Sequence, residues 1–137
     1  MMPEFLMPYG SSFAAWLIVG GAFLIQTLVA DLAAVRAHHT PGMPVASGHD
    51  DFLFRATRAH ANSNESLAAF VVLSLAAMLL GASPGWTNGL AWGFALARVG
   101  HMIAYYADQR LLRGIAFAVG FGCLVGLVVV GLIALGA

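Results

Sequence analysis

The residues that could do chemistry lie in two short stretches of an otherwise apolar sequence. The first stretch places Arg55, Arg58, Asn62 and Glu65 at spacings of three, four and three residues. At about 100° per residue, these spacings put all four side chains on one narrow stripe of an α-helix. Guanidinium groups bind carboxylates and phosphates through paired N–H donors. The first stretch therefore indicates a ligand with acidic groups.

A second polar stripe follows on the next predicted helix. Arg98, His101 and Tyr105 are spaced by three and four residues, and Asp108 would continue the same face. Arg98 lies about eight to ten residues inside that helix, or roughly 12–15 Å along its axis. A guanidinium that faces lipid at this depth costs about 2.5–3.5 kcal/mol or more. Arg98 is therefore expected to turn inward, where Glu65 is the carboxylate at comparable depth.

These charges allow more than one interpretation. Arg98 and Glu65 could form a buried ion pair that fixes the register of two helices. The arginines around them outnumber the nearby acids, and this surplus favours a ligand that bears carboxylates or phosphates. Arg110 and Arg113, at the start of the last apolar stretch, could instead act as a topology signal or contact lipid headgroups.

Four apolar stretches must position these residues. They are predicted to be helices at about 11–35, 52–81, 86–107 and 110–135. Each is long enough to cross a hydrocarbon core, which takes about 20 residues. Proline and glycine lie in the first two connections, where they interrupt the helical pattern. Short connections make neighbouring helices antiparallel. The sequence therefore predicts a single all-α domain, residues 1–137, that forms an up-down-up-down four-helix bundle in the membrane.

The composition supports a membrane protein and argues against other classes. Of the 137 residues, 61% are hydrophobic and 9% are charged, whereas an ordinary soluble domain has roughly 25% charged residues. The formal net charge is zero, so electrostatics gives no case for nucleic-acid binding. His38, His39 and His49 in the first connection are irregularly spaced and no cysteine accompanies them, so no metal site is predicted.

The basic residues predict the orientation in the membrane. All six are arginines, and each belongs to the first connection, the third connection or an adjoining helix end: Arg36, Arg55, Arg58, Arg98, Arg110 and Arg113. By the positive-inside rule, loops 36–51 and 107–110 are predicted to be cytoplasmic, and both termini extracytoplasmic.

Two motifs in these helices resemble those of a known family, the membrane-associated proteins in eicosanoid and glutathione metabolism (MAPEG). The segment Arg55-Ala-Thr-Arg58-Ala-His60-Ala-Asn62-Ser-Asn-Glu65 is similar to the family's signature at the start of helix two. The segment Arg98-Val-Gly-His101-Met-Ile-Ala-Tyr105 is similar to its motif on helix three. The resemblance spans nearly the whole chain. It implies a homotrimer that resembles the microsomal glutathione transferases and binds glutathione between subunits near the cytoplasmic face.

The resemblance also implies roles for individual residues. The glutathione-binding residues would be Arg36, Arg55, Arg58, Asn62, Glu65, Arg98, His101 and Tyr105. The catalytic residues would be Arg113 and Tyr105, with Arg113 close to the sulfur, where it would favour the thiolate. Gly114 stands where the eicosanoid synthases have a serine, and Phe54 where many members have an acidic residue. These departures argue against prostaglandin synthesis.

The leading hypothesis is thus a glutathione-dependent transferase or peroxidase, with glutathione as cosubstrate and no metal. The expected partners are other copies of the chain, membrane lipid and a lipophilic small-molecule electrophile, but no nucleic acid. A non-catalytic lipid-binding or scaffolding protein of the same family is the alternative; the family's one such helper lacks most of the polar set kept here. A transporter or channel subunit is a third possibility, opposed by the apolar character of helix four beyond Arg113.

Overall fold

The structure, a computed structural model, describes residues 2–137 and is built from helices. A short 3-10 helix, Glu4–Tyr9, leads into the first long helix. The long helices are α1 (Gly10–Arg36), α2 (Phe52–Leu79), α3 (Pro84–Tyr106) and α4 (Arg110–Leu135). Residues 2–137 contain no strand. The fold class is therefore all-α with four long helices, as the sequence predicts.

Local sequence signals determine where the helices begin and end. Asp51 caps α2, because its Oδ1 accepts a hydrogen bond from the Leu53 amide at 2.8 Å. Pro84 opens α3, where its fixed φ suits the first turn of a helix. Gly81, in the link before it, has a φ of +70°, a region that glycine occupies without strain. As a result α2 ends and α3 begins two residues earlier than the sequence predicted.

Three helical segments are long and apolar enough to cross a membrane: Glu4–Arg36, Phe52–Leu79 and Arg110–Leu135. α3 is not among them, although the sequence predicted four spans. Its apolar content is reduced by polar residues such as Thr87, Arg98 and His101, and these three side chains are buried among the other helices. The chain therefore presents mainly apolar side chains on its outer surface, as a membrane requires.

α3 packs against each of the other long helices, and the core lies along it. Phe70 of α2 stacks on Phe94 of α3, with ring centroids 4.3 Å apart and planes at 15°. Apolar residues of α1 and α4 complete this cluster. α4 approaches α3 closely through Gly126, where an added Cβ would lie 2.6 Å from Leu90 Cδ2. Small residues allow such close contact between helices in a membrane.

Hydrogen bonds fasten the start of α1 to the start of α3. The Tyr9 hydroxyl donates to the Ala82 carbonyl. Asn88 Oδ1 accepts from both the Ser12 hydroxyl, at 2.6 Å, and the Ser12 amide, at 3.1 Å. Asn88 Nδ2 donates to the Pro8 carbonyl at 2.9 Å. A side chain of α3 thus satisfies backbone groups that the N-terminus of α1 leaves open.

Candidate functional site

Arg113, in the first turn of α4, is held by three other parts of the chain. Its Nη1 lies 2.9 Å from Nδ1 of His49, in the first connection. Its guanidinium carbon lies 4.6 Å from the centre of the Tyr105 ring on α3, within cation–π range. Asp108 Oδ1, in the link between α3 and α4, lies 3.7 Å from the same Nη1. The Arg113 side chain is 11% exposed. We refer to Arg113, His49, Tyr105 and Asp108 as the Arg113 cluster.

The first turn of α2 fixes the position of His49. The His49 carbonyl accepts a hydrogen bond from Arg55 Nη1 at 2.5 Å. The His49 ring meets the Phe54 ring edge-on, with centroids 5.0 Å apart and planes at 86°. Its centroid also lies 6.1 Å from that of Tyr105. Phe54 is therefore in direct contact with the Arg113 cluster.

The Asp51 carboxylate ties the end of the first connection to α2. The Ser47 hydroxyl donates to its Oδ2 at 2.5 Å, and the Leu53 amide donates to its Oδ1. These hydrogen bonds, the hydroxyl's first, lower the pKa of the Asp51 carboxyl below its ordinary value. The group is therefore ionised at neutral pH and keeps residues 47–51 close to the Arg113 cluster.

Arg98 forms a second polar centre, deeper in the helices. Its side chain is 3% exposed. Nη1 donates to Asn62 Oδ1 at 2.8 Å and makes longer contacts to the Asn62 carbonyl, at 3.4 Å, and to Ser66 Oγ, at 3.3 Å. The guanidinium carbon lies 5.5 Å from the Phe94 ring centre. Gly120 of α4 leaves room for it, since an added Cβ would lie 3.4 Å from Nη2. One guanidinium therefore contacts α2, α3 and α4.

Arg98 turns inward, as expected, but its partner is Asn62 and not Glu65. The Glu65 side chain is exposed, and within residues 2–137 the one ion pair joins Arg113 to Asp108. Residues 62 and 65 are about 60° apart around the helix axis, so α3 meets the first and not the second. The buried Arg98–Glu65 pair considered from the sequence is therefore absent between the described residues.

The single chain does not bring all the predicted site residues together. His101 is 3% exposed and packs against Tyr105, with ring centroids 4.9 Å apart. Arg36, Arg58 and Glu65 are exposed instead. Arg58 lines a groove of about 650 Å³ between α1, α2 and the first connection. The predicted residues are thus divided between an inner group around Arg98 and Tyr105 and an outer group on the surface of the chain.

Sequence reasoning missed two polar residues close to this site. Gln26 of α1 is 1% exposed, and its Oε1 accepts a hydrogen bond from the Ser63 hydroxyl at 2.9 Å. A small cavity beside them is also lined by Arg98. The available signal was a lone amide in the apolar run of α1, since a buried amide in a membrane helix needs a polar partner. His49 was considered only as a metal ligand, and no signal in its spacing indicates Arg113.

The two arginine centres offer different chemistry. The hydrogen bonds of Arg98 use only Nη1, but Arg98 is 3% exposed and its Nε is buried without a hydrogen-bond partner in residues 2–137, so its remaining donors are enclosed by the helices. Arg113 has five N–H donors, and its contacts with His49 and Asp108 all use Nη1, so Nε and Nη2 remain for an anion. Residues 2–137 contain no group of three or more His, Cys, Asp or Glu side chains that could hold a metal ion. The arrangement suits stabilisation of a negative charge by hydrogen bonds and a cation.

Comparison with known proteins identifies the family. A search of the curated proteins gives no match. A model of the MAPEG family matches residues 11–133, a range that contains every predicted site residue. With three helices apolar enough to cross a membrane and a match over almost its whole length, the chain is an integral membrane protein and belongs to the MAPEG family.

Proposed function

We propose that this protein is a glutathione-dependent transferase or peroxidase that acts on lipophilic electrophiles from the bilayer. The observation that carries the proposal is the Arg113 cluster, in which a guanidinium with free donors is fixed at the end of apolar helices. A sulfur bound there is next to a positive charge and close to molecules dissolved in lipid. Membership of the MAPEG family supports the same class of activity.

The chemistry of glutathione fits the available side chains. The tripeptide carries two carboxylates, one amine and one thiol. Arg36 and Arg58 are exposed and suit the carboxylates, whereas Glu65 suits the amine. Asn62 gives its Oδ1 to Arg98, which leaves its NH₂ group as a donor to a peptide carbonyl of the ligand.

Arg113 is the proposed activator of the thiol, with the Tyr105 hydroxyl as a second donor. A free thiol has a pKa of about 8.5, and a cation beside the sulfur lowers it, which favours the nucleophilic thiolate. In the transferase reaction the sulfur forms a C–S bond and the electrophile loses its leaving group or takes up a proton. In the peroxidase reaction two glutathiones are oxidised to a disulfide while a hydroperoxide is reduced to an alcohol and water.

We place the glutathione site between subunits of a homotrimer. Glu65 lies at the middle of α2, about 21 Å from the end of that helix at about 1.5 Å per residue. Its side chain is exposed in the single chain. A carboxylate that faces lipid at such depth costs about 2.5–3.5 kcal/mol, and a neighbouring subunit removes that cost. The family resemblance implies that there are three subunits.

The proposal includes an arrangement in the membrane. The four helices alternate in direction as an up-down-up-down bundle, and α3 also spans because its polar side chains face protein. The first and third connections are cytoplasmic and both termini are extracytoplasmic. The distribution of the arginines supports this orientation. The hydrogen bonds from the N-terminal segment to Ala82 in the link from α2 to α3, and to Asn88 in the first turns of α3, support placing these segments at one end.

Calorimetric titration with reduced glutathione in a mild detergent tests the binding step. The wild-type protein should bind glutathione, and Glu65→Gln should bind it more weakly because the ligand amine loses a carboxylate partner. Glu4→Gln is the matched control, because Glu4 is an exposed carboxylate in the N-terminal 3-10 helix. Its affinity should equal that of the wild type. A wild-type protein that gives no binding heat refutes the proposal.

Turnover and assembly are tested on the same preparation. Formation of a glutathione conjugate from a chlorodinitrobenzene, or reduction of a lipid hydroperoxide, should depend on both protein and glutathione. Glutathione binding without turnover of either substrate would favour the non-catalytic alternative. Native mass spectrometry from detergent should show three chains, and a monomer over a wide concentration range would contradict the proposed site between subunits.

A further inference from the structure

His49 lies at the centre of the Arg113 cluster, although none of the roles above uses it. Its backbone carbonyl is held by Arg55 and its ring by the edge-on contact with Phe54. The ring nitrogen Nδ1 lies 2.9 Å from Arg113 Nη1. A loop residue fixed at both its backbone and its ring has a defined position, so it can define the position of the group it contacts.

The donor and acceptor roles in this contact follow from the chemistry of the two groups. A guanidinium has five N–H donors and no acceptor, so His49 Nδ1 must accept the hydrogen bond. The imidazole is then neutral and carries its proton on Nε2. Protonation of Nδ1 would remove the acceptor and place two cations in contact.

The other contacts of Arg113 leave the rotation of the guanidinium undefined. The Tyr105 ring lies against its face and restrains the plane of the group, but a ring face does not select an individual N–H. Asp108 Oδ1 is buried but lies 3.7 Å from Nη1, which is beyond hydrogen-bond distance, so it attracts the charge of the guanidinium without selecting an individual N–H. His49 supplies the short directional contact to Nη1, and it leaves Nε and Nη2 without a hydrogen-bond partner in residues 2–137.

We propose that His49 is a positioning residue for Arg113: it sets the direction of the guanidinium on the Tyr105 ring and so aims the free N–H donors at the bound thiolate. This inference rests on the proposed glutathione-dependent function. It also gives Arg55 a role inside the chain, because the Arg55 guanidinium holds the His49 carbonyl. One arginine thereby fixes the histidine that orients another.

Three variants of the full-length protein test the inference. His49→Leu removes the acceptor, whereas His49→Asn keeps one, because Asn Oδ1 is as many bonds from the backbone as His Nδ1. His38→Asn is the matched control: His38 is an exposed imidazole of the same connection, and asparagine tolerates its φ of +52°. Glutathione affinity, the pKa of the bound thiol from thiolate absorbance, and kcat are measured for each.

His49→Leu should raise the pKa of the bound thiol and lower kcat about tenfold, since a misdirected catalytic group can cost up to about a hundredfold and Tyr105 and Asp108 still restrain Arg113. The glutathione affinity should change less than kcat. His49→Asn should restore most of the rate, and His38→Asn should match the wild type. In the wild type, ¹⁵N NMR of the His49 ring should show an unprotonated Nδ1.

Several outcomes would overturn the inference while leaving the proposed function intact. These are an unchanged thiol pKa and kcat in His49→Leu, a His49→Asn variant as slow as His49→Leu, or a protonated Nδ1 in the wild type. The NMR result and the asparagine variant decide the question even if His49→Leu does not fold. A wild-type protein that binds no glutathione refutes the proposed function itself, and the inference fails with it.

Discussion

Replacing Asn62 with alanine should destabilise the protein even without ligand. Asn62 Oδ1 is the short acceptor for Arg98 Nη1, at 2.8 Å, whereas the Asn62 carbonyl and Ser66 Oγ lie at 3.4 and 3.3 Å. Arg98 is 3% exposed, so bulk water does not replace the lost oxygen. A hydrogen bond to a charged group contributes about 1.5–3 kcal/mol. We therefore expect Asn62→Ala to lower the free energy of unfolding by about 2 kcal/mol.

The chain offers a matched control and a compensating change. Asn64 is the same residue type two positions further along α2, and its side chain is exposed. Asn64→Ala should therefore stay within about 0.5 kcal/mol of the wild type. Combining Asn62→Ala with Arg98→Met removes the buried donor together with its acceptor. The double variant should lose less stability than the sum of the two single variants, because no charged group is left buried without its partner.

Equilibrium unfolding in mixed micelles of a mild detergent and dodecyl sulfate, followed by circular dichroism, gives the free energy of unfolding of the wild type and the four variants. The measurement needs no glutathione, so it separates the structural role of Asn62 from its proposed contact with the ligand. If Asn62→Ala were as stable as Asn64→Ala, or if the two substitutions in the double variant were strictly additive, the importance assigned to this contact would be refuted.

Three further predictions concern the thiol, the first connection and the topology. Arg113→Leu should raise the pKa of the bound thiol and cut turnover with a modest loss of glutathione affinity, whereas Arg110→Leu, at an exposed arginine one turn earlier, should leave thiolate absorbance and kcat unchanged. The pKa of Asp51 is lower in the folded state than in the unfolded state, where it is about 3.9. Its carboxylate therefore stabilises the folded state at pH values above the unfolded pKa, and this contribution is lost as the pH falls through the lower, folded pKa. Melting temperatures in detergent should therefore fall more steeply below about pH 4 in the wild type than in Asp51→Asn. A reporter fused after Ala137 should be extracytoplasmic, and activity confined to the cytoplasm would contradict the proposed topology.

The helices could be predicted because their signals are local. Long apolar runs define their extent, and proline and glycine in the connections interrupt them. The largest differences between the predicted and the observed helix ends are at the link between α2 and α3, where Gly81 has a positive φ and Pro84 begins the next helix. The hydrophobic pattern continues through these positions, and the backbone conformation there is decided by two residues. Periodicity therefore predicted the elements better than it predicted their ends.

The inward direction of Arg98 could also be predicted, but its partner could not. Lipid disfavours a guanidinium, which is a property of the residue and its depth. Whether α3 meets Asn62 or Glu65 depends on how α2 is rotated about its own axis. Packing of several helices sets that rotation, and Asn62 and Glu65 lie only about 60° apart on the same stripe of α2, so helical spacing does not distinguish them.

His49 and Gln26 escaped prediction because their contacts are distant in sequence. His49 is 64 residues from Arg113, and Gln26 is 37 residues from Ser63. The first contact depends on the path of an irregular connection, which has no periodic pattern from which its contacts could be predicted. The second depends on which face α1 turns to α2. The polar residues of the two stripes were found because helical spacing alone grouped them.

The hydrogen bonds that fasten the start of α1 have a consequence for synthesis of the chain. They join residues that are 73 to 81 positions apart in the sequence. The shortest separation is between Tyr9 and Ala82, and the longest is between Ser11 and Trp92. At about 5–20 residues per second, about 4–15 s separate the synthesis of the two ends. During that interval α1 enters the bilayer without the amide that Asn88 later supplies to Ser12 and Pro8. A nascent chain halted before residue 88 therefore lacks this amide, and its N-terminal polar groups remain open to water or to the insertion machinery.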